Sequence, residues 1–250
     1  MSAFRRPWLV AVLAILIAVI VVPVGAVAGW WVYAHHTVVT VESITGGALV
    51  SSDGRTVAVS GVVGCDATDT LRAAEQPGRV TLTLDYVHLA NPPCSGIPGF
   101  AVYRARLQAP LGRRALVDAA TGRPVPYFDA SSLDKPGYLP PGYAFRYAAP
   151  DAFGLFGGEY LAVPVDARLS CSQIYSPSDD YDLLVITQAD GGRLVWPAGV
   201  KPRKLTVRGR PALAIPGRIS WVQDGQLIVV ATNNPELRLP ELVAVADSMK

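Results

Sequence analysis

From position 8 to position 34 the chain carries no charged residue. A run this apolar must be placed in lipid, buried in protein or removed, so it limits the fold more than any other feature. As a helix rising about 1.5 Å per residue it reaches about 40 Å, more than the roughly 30 Å hydrocarbon core of a membrane. Arg5 and Arg6 precede it, and the nearest acid after it is Glu42. That asymmetry predicts a cytoplasmic tail over 1–7, a transmembrane helix over 8–34 and a C-terminal bulk outside the cell membrane. Trp30, Trp31 and Tyr33 cluster at the far end, as amphipathic rings do at a lipid–water boundary. The alternative is a cleaved signal peptide with Ala26-Val27-Ala28 as its site. Apolar residues continue past that site through Trp30, Trp31 and Val32, which favours a retained signal anchor with membrane lipid as its partner.

Charge is balanced elsewhere. The 250 residues hold 22 Lys and Arg against 20 Asp and Glu, for a net charge of +2. Setting aside Arg5 and Arg6 leaves the exported part neutral, which argues against a nucleic-acid partner.

Beyond the apolar run, residues 38–127 alternate apolar and polar residues between turn signals. The clearest strand patterns cover 38–44, 56–63, 80–89 and 100–109. A short helix is expected over 67–75, capped by Asp66 or Thr68. This half reads as a small β-sandwich or barrel-like domain. Residues 128–142 hold Pro136, Pro140 and Pro141 and read as a linker. Over 143–250 come further strands, among them a hairpin turning at Asp224-Gly225. Leu242, Val245, Ala246 and Met249 then recur at helical spacing after Pro240. The fold class expected is therefore an N-terminal transmembrane helix, a β-sandwich or barrel-like domain and an α+β domain ending in a helix.

The second half carries a resemblance. Leu139-Pro140-Pro141-Gly142-Tyr143 is similar to an "L-P-x-G-Y" opening found in bacterial anti-sigma-factor-like single-pass membrane regulators. Three later motifs follow in the same order: Val207 to Ala212, the hairpin from Ile219 to Gly225, and the helix from Glu241 to Met249. The resemblance implies their extracytoplasmic C-terminal domain, itself largely without known function. Seven residues precede the apolar run, so sigma-factor binding is not expected to carry over.

Cys65, Cys94 and Cys171 fall on the exported side, where disulfides persist. Cys65 and Cys94 lie within one expected domain and are the expected pair, leaving Cys171 over. No catalytic, cofactor or metal site is expected. His88 has no G-x-S-x-G partner, and Cys65, His88 and Cys94 lack the close spacing of metal ligands. Asp179, Asp180 and Asp182 do not match a calcium loop. One irregularity remains. Arg193, Lys201, Arg203, Lys204, Arg208, Arg210 and Arg218 occur with no acid between positions 191 and 223. They form a candidate interaction patch for an acidic membrane or envelope partner, unless they pair with the acids of 151–190. The functional expectation is a membrane-anchored extracytoplasmic binding, sensing or regulatory protein without catalysis. The alternative is a cell-envelope enzyme or an accessory subunit of one.

Overall fold

A computed structural model describes residues 37–63, 68–89, 99–150, 164–165, 167–177, 182–194, 196 and 199–250. The first half runs through β1 (Thr37–Glu42), β2 (Ala48–Val50), β3 (Thr56–Val63) and β4 (Thr68–Gln76). It continues with β5 (Arg79–Leu89), β6 (Gly99–Arg106), β7 (Ala115–Asp118) and β8 (Tyr127–Asp129). These strands make two sheets, ordered β1-β5-β4 with β7 also on β5, and β6-β3-β2-β8. Both are mixed, because β7 pairs with β5, and β8 with β2, in parallel. Their inward side chains, including Val57, Val80, Leu82 and Leu116, form one core with Leu107 and Leu111 of the β6–β7 connection.

The second half contains β9 (Ala144–Pro150), β10 (Pro164–Val165), β11 (Leu169–Ser176), β12 (Leu184–Asp190) and β13 (Arg193–Leu194). After these come β14 (Arg203–Val207), β15 (Arg210–Ile215), β16 (Arg218–Gln223), β17 (Gln226–Thr232) and the helix α1 (Leu239–Asp247). Seven of the strands form an antiparallel sheet in the order β14-β15-β16-β17-β12-β11-β9. Strands β14 to β17 are a meander built on two-residue turns. Arg208-Gly209 and Asp224-Gly225 both have positive φ, the conformation that matches the right-handed twist of paired strands. Leu242, Val245 and Ala246 of α1 are fully buried against Val207, Ile219, Trp221, Ile228 and Val230. A nine-residue helix is marginal alone, so this packing holds it.

Several expectations are corrected. The fold class expected, a transmembrane helix with a sandwich or barrel-like domain and an α+β domain, is not what the described residues show. They form four sheets, antiparallel and mixed, and their one α-helix is short and C-terminal. Among them no helix is long and apolar enough to cross a membrane. The span expected over 8–34 lies outside the described residues. Alternation identifies strands but not their partners, so the parallel pairings of β2 with β8 and β5 with β7 leave no local mark. The helix expected over 67–75 is strand β4. It pairs along its whole length with β5, and that ladder overrides the helix propensity of Leu71-Arg72-Ala73-Ala74-Glu75.

Residues 128–142 are tied into the structure at several points. Tyr127–Asp129 is strand β8, and Lys135 and Gly137 bond through their backbones to Lys250 and Ser248. The halves also share a core in which Leu49, Ala58, Phe128 and Leu133 meet Leu169 and Cys171.

Candidate functional site

The structure places the basic residues of 193–218 in different settings. Arg193 lies on β13, opposite Val165. Arg208 donates to Gln223 Oε1 at 3.0 Å and approaches Asp134 at 3.8 Å, while its N–H donates to Asp247 at 2.7 Å. Arg210 pairs with Asp224 at 3.1 Å across neighbouring turns. Arg218 is buried at 4% exposure, and that desolvation pushes its guanidinium below the ordinary arginine range. Lys201, Arg203 and Lys204 stay exposed.

Two of these exposed cations meet at a groove. A cleft of about 660 Å³ opens between the β15–β16 turn, the end of β17 and the start of α1. Its size is within the range of ligand clefts. Ala214, Ile215, Pro216, Leu237 and Leu239 give it an apolar lining, and Lys201, Arg203 and Arg238 bring charge to it. Among the described residues none of these three cations makes an ion pair. The nearby carboxylate of Glu241 accepts the Arg238 backbone N–H at 2.7 Å, and Glu236 is exposed on the same loop.

Local chemistry fixes the groove walls. Pro216-Gly217 is a two-residue turn in which Gly217 has φ +73, and a Cβ there would lie 3.0 Å from the Thr232 carbonyl oxygen. That carbonyl's own residue donates its N–H to Gly217 O at 2.9 Å. Opposite, Asn233 accepts the Leu183 N–H at 2.7 Å, and the Asn234 amide donates to Tyr143 Oη at 3.1 Å. The Asn234 carboxamide also accepts the Glu236 N–H at 2.8 Å, shaping the loop into α1.

A second polar cluster was not visible in the sequence. Asp134 donates its N–H to Gln188 at 2.8 Å and accepts at its carbonyl from Gln173 at 2.7 Å. Gln223 and Arg208 approach its carboxylate at 3.4 and 3.8 Å. Gln173 and Gln188 are nearly fully buried, so this cluster satisfies core polar groups and ties residue 134 to the large sheet. In the first half, hydrogen bonds from Arg114 and the Gln108 N–H hold the Glu75 carboxyl below its ordinary value. Arg72 does the same to Asp85. Asp118 is buried and accepts from Ala120 N and Thr121 Oγ1, which makes 118–121 a structural turn.

Cys65 and Cys94 lie outside the described residues, as do Asp179 and Asp180; Cys171 is buried. His88 is on β5 opposite Val38. Among the described residues no group of three or more His, Cys, Asp and Glu side chains could hold a metal ion. Arg238 escaped the sequence reading because Asp224 and Glu236 separate it from the other cations.

No protein-family profile matches the chain, and no curated protein matches it. Among solved structures, the crystal structure of MucB in complex with MucA(peri) is similar at 15% identity and a TM-score of 0.27. That match covers 74% of this chain and 67% of the other. The link is weak, and at this TM-score it carries no argument about what the chain does.

Proposed function

We propose that this is an extracytoplasmic binding or regulatory protein held at the cell membrane, working without catalysis and taking an anionic partner at the groove beside α1. The observation that carries the reading is the groove itself, an apolar lining crossed by three cations with no ion-pair partner among the described residues. Cations without an ion-pair partner beside apolar surface suit a ligand that brings both negative charge and apolar area. The uncharged run over 8–34 after Arg5-Arg6 supports the location.

The test uses the full chain in nanodiscs of zwitterionic lipid. It is titrated with anionic probes: an acidic peptide, polyglutamate and phosphatidylglycerol vesicles. At least one should bind saturably, weaken as salt rises, and weaken again in the Arg203→Glu/Arg238→Glu variant. Binding by none of them, or binding indifferent to both salt and charge reversal, would overturn the reading.

A further inference from the structure

Among the described residues, strand β14 ends the seven-stranded sheet and pairs only with β15, so its outer edge presents backbone groups that no described strand uses. Arg203, the first residue of β14, also lines the groove. Leu205 and Val207 face α1 and its core, and period-two alternation puts Arg203 on that side and Lys204 on the opposite one. The two exposed cations of one edge strand thus project to opposite faces of the sheet. A compact anion can meet one of them but not both.

We propose that the outer edge of β14 takes an extended acidic segment of a partner protein as an added strand. Side chains of an added strand alternate between the two faces, so acids at adjacent positions reach Arg203 on one side and Lys204 on the other. An apolar side chain of the same segment enters the groove beside Ile215 and Leu239, and Lys201 and Arg238 meet further acids. Val200, 39% exposed just before the strand, extends the apolar contact. Asp247, which accepts the Arg208 N–H, limits the added strand to the 203–207 end of the edge. A lipid headgroup lacks the main-chain donors and acceptors that the edge would satisfy, which is why a peptide is favoured. The inference rests on the groove as the binding site and adds the class of partner.

The test uses the full chain in zwitterionic nanodiscs and a short fluorescent peptide alternating Asp and Glu with Val and Leu. Two further probes are the same peptide N-methylated at alternate backbone positions, and phosphatidylglycerol vesicles. The unmodified peptide should bind, and N-methylation should weaken it at least about tenfold. Arg203→Glu/Lys204→Glu should weaken it by a similar factor with the melting temperature unchanged, since both side chains are exposed. Raising salt on the unaltered protein gives the charge dependence without any variant. Equal binding of the N-methylated peptide overturns strand addition. Binding of vesicles but of neither peptide overturns the peptide class and leaves the groove reading standing. Binding of no anionic probe removes both.

Discussion

The meander from Arg203 to Thr232 and the first half from Thr37 to Asp129 are both built of strands, yet they are specified differently. In the meander each strand pairs with the next through a two-residue turn, and Arg208-Gly209, Pro216-Gly217 and Asp224-Gly225 set the register where it starts. In the first half Ala48 pairs with Tyr127 and Arg79 with Ala115, across long stretches of other structure. No tight turn joins those partners, and they meet around a core that includes Leu82, Leu107 and Leu116. Turn chemistry therefore secures one region locally, while the other depends on closure of the whole. The groove sits at the end of the locally secured region.

Leu242→Asp should have the largest effect. It places a carboxylate among Val207, Ile219 and Trp221 at a fully buried site and should cost about 4 kcal/mol or more, read by denaturant unfolding of the full chain. An unchanged midpoint would show that α1 does not cover the meander. A Cys65–Cys94 bridge, identified by non-reducing peptide mapping, should contribute about 3–4 kcal/mol by closing a loop of roughly 30 residues. Its reduction should speed hydrogen exchange across 37–129 more than across 203–232. Equal loosening of both would contradict the contrast between the regions, and a bridge to Cys171 would replace the pairing.

Gly217→Ala should destabilise by about 1–2 kcal/mol, because an L side chain resists φ +73. If unfolding shows no loss, turn geometry does not secure the meander as argued. The smallest effect is on pH. Glu75 and Asp85 have folded pKa values below their unfolded ones, so their contribution is present above about pH 4.3 and is lost as pH falls through the folded values. Glu75→Gln should flatten the acid limb of the stability profile for the first half. A limb as steep as that of the unaltered protein would discount the Glu75–Arg114 contact.

Those same differences decide which parts of the fold are legible in the sequence. The Asp224-Gly225 turn and the apolar set of Leu242, Val245, Ala246 and Met249 were legible because both are short-range patterns. Strand β4 was not, since Leu71-Arg72-Ala73-Ala74-Glu75 favours a helix until β5 pairs with it. Of the candidate patch, Lys201 and Arg203 meet at the groove. Arg208 and Arg210 are engaged by Asp134, Gln223 and Asp224, and Arg218 is buried. Charge runs show which residues are basic, but strand alternation and turns decide which of them reach the surface together.

Hydrogen exchange of the full chain, with and without the acidic alternating peptide at saturation, tests most directly whether the edge beside α1 is where a partner docks. New protection across 201–207 together with 237–239 is the predicted result. Protection confined to another edge, such as Thr37–Glu42, or no new protection at all, would contradict it.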